Sequence, residues 1–286
     1  MTGIAACRFL PAVDPEPSPV VLTTLAHPWR HGALIRILTW REISGRYRGS
    51  LFGSFWSLLT PLLMLGVYTL VFGVILPSRW PGAEGQGIGM FALRLLAGMV
   101  VHGLFGEALG RAPMLVTSQP NYVTKVVFPL EALGWVNLLT ALFHTLMALL
   151  VLVLLNGLFG TGFSATQLAL PLLLLPYAAL LLGLVWLIAA LGVYLRDLNQ
   201  LVGPMVMMTM FLGPVFYPRE AMPAAAQPWL AFNPITIPVE QTRRVLFEAQ
   251  WPQWEVLAQY SLLAAVVYLF GLWAFTKLKK GFADVL

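Results

Sequence analysis

A chain of 286 residues that is 59% hydrophobic and only 10% charged cannot bury its apolar surface as a water-soluble domain does, since such domains carry about 25% charged residues. A net charge of +5 does not point to nucleic acid, because the basic residues cluster beside apolar stretches and form no continuous polar face. The single cysteine, Cys7, excludes an internal disulfide framework and a cysteine-rich metal site.

Residues 1–24 read as a disordered tail, with Pro11, Pro15, Pro17 and Pro19 interspersed with Asp14 and Glu16. In residues 25–50, Arg36, Arg41, Glu42, Arg46 and Arg48 alternate at helical spacing with Leu34, Ile37, Leu38 and Ile43. That pattern predicts an amphipathic helix lying in a membrane interface. The charges stop at Leu51, and the apolar run from Phe55 to Leu76 is roughly 33 Å long at 1.5 Å per residue, enough for a first crossing of a core about 30 Å thick.

Residues 77–89 are glycine-rich, but no strand precedes them and no Gly-Lys-Ser/Thr follows, so they read as an external loop and not as a phosphate cradle. A second span is expected over 93–115. It carries His102, Glu107 and Arg111, the last two one helical turn apart and able to neutralise each other. Residues 117–129 are polar and flanked by prolines, either a connecting turn or a helix of about two turns with Tyr122, Val126 and Val127 on one side. A third span follows over 130–159. Its lone His144 fits a bond to neighbouring backbone better than a metal site.

A fourth span runs over 168–195 and ends at Arg196 and Asp197, whose side chains reach the interface. The fifth, 201–217, is rich in methionine (Met205, Met207, Met208, Met210), suited to adaptable packing or to contact with a moving substrate. Residues 218–253 hold many prolines together with Trp229 and Phe232. Within them Pro238 can open a short helix to Phe247, with Val239, Thr242, Val245 and Leu246 on one side and Glu240, Arg243, Arg244 and Glu248 projecting elsewhere. This segment is either a cap at the mouth of a pore or an ordinary outer loop. A sixth span over 256–275 ends at Lys277, Lys279 and Lys280. Placing the short-loop basic residues inside puts both termini in the cytoplasm. The expected fold is therefore all-α and membrane-integral, with the six spans over 51–286.

No nucleophile-and-base set, metal-ligand spacing or phosphate loop stands out, so the chain is not expected to be an enzyme. Glu107 is the single deep carboxylate and no internal repeat is visible, which favours an external ATPase over an ion gradient as the energy source. A membrane-embedded glycosyl- or acyltransferase would need polar catalytic groups gathered at one interface.

The run RYRGSLFG at Arg46–Gly53, followed by Trp56 and Pro61, resembles the opening signature of the permease subunits of ABC exporters for O-antigen, capsule and teichoic acid. The resemblance continues through NYVTKVVFPLE at Asn121–Glu131, YLRDLNQLV at Tyr194–Val202, GPVFYP at Gly213–Pro218, FNPITIPVEQTR at Phe232–Arg243 and the terminal KKGFADVL. It implies a homodimer in the bacterial inner membrane that exports a lipid-linked polysaccharide, driven by two copies of a separate ATPase that holds the ATP and magnesium. It implies no cofactor in this chain and no nucleic-acid partner. A related permease for a drug or small lipid would share the architecture.

Carried over residue by residue, the resemblance makes 117–129 a coupling helix, with Asn121, Tyr122, Lys125 and Phe128 at the ATPase. It brings Arg41, Glu42, Arg46 and Arg48 of the interface helix near the same partner. It gives Phe52, Phe55, Trp56, Tyr68, Phe72, Phe211, Phe216 and Tyr217 a place along the translocation path beside a packing or lipid-facing role. It makes 218–253 an external gate containing Trp229, Phe232, Arg243 and Arg244.

Overall fold

The computed structural model describes residues 31–75, 87–124, 128–225 and 227–286, without the side chains of Ser54, Phe72, Gly73 and Val74. The expected tail, the first residues of the interface helix, most of the glycine-rich loop and Lys125 lie outside the described residues. The described residues are helical and contain no strand.

In chain order the helices are α1 (Gly32–Tyr47), α2 (Trp56–Tyr68), which continues as a π-helical turn over Thr69–Ile75, α3 (Ile88–Gly110), α4 (Asn121–Thr124) and α5 (Glu131–Phe159). They are followed by α6 (Leu170–Tyr194), α7 (Leu198–Phe211), α8 (Thr236–Phe247), α9 (Trp254–Leu278) and the single turn α10 (Phe282–Val285). Helices α3, α5, α6 and α9 have 23, 29, 25 and 25 residues, which is about 35 to 44 Å at 1.5 Å per residue. These four are long and apolar enough to cross a membrane.

The other two expected spans depart from a full-length α-helix: the first is α and then π helix over Trp56–Ile75, close to its expected length, and the fifth is shorter than the sequence suggests. Helix α2 carries Pro61 in its interior and gives way to the π turn after 13 residues. Helix α7 has 14 residues and an internal Pro204, so it covers only about 21 Å. It stops because Gly213 and Pro214 follow: proline has no N–H to continue the helix and disfavours helical backbone in the residue before it.

Helix α6 is apolar on every side and accordingly sits in the middle of the protein, with Tyr177, Leu181, Leu182, Val185 and Trp186 buried. Its contact with α9 depends on two glycines. A Cβ on Gly271 would lie 2.0 Å from the Gly183 carbonyl oxygen, and one on Gly183 would lie 2.4 Å from the Val267 carbonyl oxygen. The backbones touch there, as helices in lipid do where small residues meet. Gly271→Ala must push α9 off α6, and overpacking of this kind costs about 1–3 kcal/mol. A lower melting temperature of the detergent-solubilised protein checks this, and Gly66→Ala, whose Cβ meets nothing within 4 Å, is the neutral control.

Candidate functional site

The two ends of the bundle differ in chemistry. At one end α1 lies across the start of α5, because Ile35 and Leu38 pack with Ala132 and Val136, flanked by Trp135 and Leu139. That apolar seating turns Glu42 and Arg46 towards the last turns of α3. Arg46 Nη1 donates to Glu107 Oε1, and Arg111 Nη2 donates to Glu42 Oε1. Glu107 and Arg111 therefore do not neutralise each other along α3, as their spacing suggests; each is matched by an opposite charge on α1. The cross-helix partners prevail because α1 lies within reach of both.

Among the described residues, His144 of α5 is likewise not bonded to backbone. Its Nδ1 lies 2.8 Å from Glu107 Oε1 and 3.2 Å from Arg46 Nη1. One ring nitrogen cannot donate to the carboxylate and accept from the guanidinium at once. The shorter contact assigns the proton to Nδ1, which donates to Glu107. Arg48 ends α1 with its side chain exposed. Tyr47 is half-buried, and burial raises its phenol above the ordinary value, with Arg46 countering.

Helix α4 joins this end. It is a single turn, Asn121–Thr124, where the sequence allowed two, and the residues that would extend it are outside those described. Tyr122 stacks on Phe128 with ring centroids 4.3 Å apart and planes within 9°, and its hydroxyl lies 3.4 Å from Arg41 Nη2. Asn121 is exposed. The end of the chain reaches the same place. Lys279 Nζ donates to Glu131 Oε1 at 2.5 Å, and Phe282 is fully buried between Tyr194 and Phe275, in the same apolar cluster that Tyr122, Val123 and Phe128 pack against.

At the opposite end, α8 is buried on nearly all sides. Arg243, expected to project away from the side formed by Val239, Thr242, Val245 and Leu246, is among its buried residues, 7% exposed. Its Nε donates to the Arg94 carbonyl at 3.1 Å, its Nη2 to the Val215 carbonyl at 2.6 Å and its Nη1 to the Pro214 carbonyl. The broken backbone after α7 needs donors that no helix supplies, and one guanidinium provides them. Burial pulls Arg243 down to about 9, with Glu240 countering, so it remains charged at neutral pH. The last carbonyls of α8 are served similarly: Leu246 accepts from Asn156 Nδ2 and Thr161 Oγ1, each at 3.1 Å, and Val245 from Thr166 Oγ1 at 2.8 Å. Arg244 donates to the Trp251 carbonyl at 3.0 Å. Trp229 and Phe232 are 73% and 82% exposed beside each other.

Between the two ends, the aromatic residues form two groups. Phe52 and Trp56 meet edge to face at 5.7 Å. Tyr68 of α2 meets Phe216 at 6.2 Å, and Phe216 meets Phe211 of α7 at 5.5 Å. The Tyr217 hydroxyl donates to the Phe211 carbonyl. Phe55 is 53% exposed, and the side chain of Phe72 lies outside the described residues. Met205, Met207 and Met208 are exposed on α7 and do not fill the core.

Sequence reading missed His144, Glu131, Lys279 and Asn156 as partners. Lone polar residues inside apolar runs were the available signal; what each of them bonds depends on which helices become neighbours.

The model of one protein family, described as ABC-2 type transporter, matches residues 33–247. Among curated proteins the chain is similar to the O-antigen export system permease protein RfbA of Myxococcus xanthus, 26% identical over 248 residues covering 86% of this chain and 91% of the relative. It is also similar to an O-antigen export system permease protein RfbA of Klebsiella pneumoniae, 22% identical over 254 residues covering 88% of this chain and 95% of the relative.

Proposed function

We propose that this chain, which belongs to the ABC-2 type transporter family, is the transmembrane subunit of an exporter that moves a lipid-linked, O-antigen-like polysaccharide from the cytoplasmic side across the inner membrane. The similarity to O-antigen export permeases, which runs along 86% and 88% of the chain, carries this function. Membership of the family implies an ABC ATPase as partner, and ATP and magnesium are held there.

In this reading the protein works as a homodimer with two ATPase copies and both termini in the cytoplasm. Helices α2 and α7 are the first and fifth crossings. Helix α2 buries no residue and α7 buries only Val202, so a second copy and the passing glycan have an open face to occupy. Backbone that is not regular helix is tolerated at membrane depth where it is covered by protein or lines a wet cavity. The rings of Tyr68, Phe211 and Phe216 offer a surface on which sugar C–H faces slide. Residues 218–253, with α8, form the external gate.

Helix α4 and the exposed side of α1 dock on the ATPase. The Arg41–Tyr122 contact supports a joint movement of the two, and the Arg46–Glu107 and Glu42–Arg111 pairs carry it into α3. Tyr122→Ala is expected to lower surface display of the polysaccharide several-fold while the protein remains dimeric in the membrane. Display equal to wild type in that variant overturns the coupling role, and export of a small lipid or drug by glycan-deficient cells overturns the cargo.

A further inference from the structure

Two cavities meet at the Arg46–Glu107 pair. One, about 690 Å³, is polar and lies among Arg41, Glu42, Arg46, Glu107 and Arg111. The other, about 580 Å³, begins at Arg46, Glu107 and His144 and becomes apolar along Met64, Leu96 and Ala148. Both fall within the roughly 300–1,000 Å³ typical of ligand cavities. From Glu107 to Leu96 along α3 the second cavity extends about 16 Å, close to half of a hydrocarbon core about 30 Å thick. It therefore has the length of one lipid chain in one leaflet, with charged groups at the headgroup end.

Those groups have bonding capacity to spare. The hydrogen bonds of Arg46 among the described residues all run through Nη1, while a guanidinium has five N–H donors. His144 Nε2 and Ser50 Oγ are buried without a partner among the described residues, and both residues line the apolar cavity. The polar cavity sets three arginines against two glutamates, a surplus of positive charge suited to one phosphodiester. Gly103 lines the apolar cavity, and a Cβ there meets nothing within 4 Å, so the space beside α3 is open at that point.

We infer that these joined cavities hold a resident phospholipid of the leaflet facing α1, its phosphate on Arg46 and its headgroup among Arg41 and Arg111. One acyl chain lies along Gly103 towards Leu96. The lipid is distinct from the exported molecule and fills the gap between α2, α3 and α5, so that α1 moves against a packed surface. Only the membrane location is assumed, and the identity of the cargo is not.

The test is native mass spectrometry with lipid extraction on the intact transporter, purified with its ATPase in mild detergent from cells that cannot make lipid-linked glycan. One phospholipid retained for each copy of the chain is expected. Gly103→Leu, which fills the cavity one turn from Glu107 and removes no charged group, and Arg46→Ala, which removes the phosphate contact, should each reduce retention about tenfold or more, as loss of the chain's seat or of a charge-assisted bond implies. A monodisperse complex in Gly103→Leu shows that the variant is folded. Wild type without stoichiometric phospholipid, or Gly103→Leu retaining as much as wild type, overturns the proposal. So does a lipid found solely when the cells make the glycan, which would assign the cavities to the cargo.

Discussion

Arg243→Met is expected to be the most destabilising single substitution at the α8 end, with little folded protein recovered from membranes. The methionine fills similar volume but donates nothing, so the carbonyls of Pro214 and Val215, outside any helix, lose their donor, while that of Arg94 keeps its place in the α3 ladder. Each buried carbonyl left unsatisfied costs about 1–3 kcal/mol, so two of them cost about 2–6 kcal/mol, a large share of the 5–15 kcal/mol that holds a typical domain folded. Arg243→Lys should recover part of the loss, because an ammonium keeps the charge and three donors but not the planar fork that reaches three separate carbonyls. Gly98→Ala tests the same arrangement from the other side: its Cβ would fall 2.8 Å from Arg243 Nη2 and 2.9 Å from the Val215 carbonyl oxygen. Melting of the detergent-solubilised variants, in the order wild type, Lys, Met, measures this. A methionine variant that melts with wild type would mean that water or another donor serves these carbonyls.

The helices were legible in the sequence wherever apolar length alone decides. The expected spans over 130–159, 168–195 and 256–275 agree with α5, α6 and α9 to within a few residues, because an unbroken apolar run has one stable conformation in lipid. The fifth span was misjudged at its end, where Gly213 and Pro214 break the helix although Val215, Phe216 and Tyr217 keep the composition apolar. Arg243 was misjudged for a related reason. Helical periodicity groups Arg243 with Glu240, Arg244 and Glu248, which do keep a partly exposed side, but the carbonyls after α7 draw Arg243 inward. The ion pairs were legible in kind but not in partnership: Glu107 and Arg111 satisfy the one-turn rule within α3, and nothing in a single sequence announces that α1 will lie beside both.

Partnership also sets how much each pair contributes. Arg46→Ala is expected to lower stability more than Arg111→Ala, although each removes one arginine from one ion pair between α1 and the end of α3. Glu107 retains 19% of its side-chain exposure, whereas Glu42 and Arg111 retain 40% and 44%. A carboxylate stranded in a buried position costs about 3–5 kcal/mol, but Arg46 itself is 53% exposed, so solvent weakens the pair, and with the bond to His144 remaining Arg46→Ala falls at about 1–3 kcal/mol. An exposed pair contributes about 0–1 kcal/mol. Adding Glu107→Gln to Arg46→Ala removes the uncompensated charge, so the double variant should melt above the single one, with a coupling energy of about 0.5–3 kcal/mol. Export should separate from stability in this cycle. If α1 transmits movement to α3 through the pair, the double variant regains its fold without regaining transport. Recovery of both would make the pair a matter of folding alone, and equal losses in Arg46→Ala and Arg111→Ala would show that burial does not set the ranking.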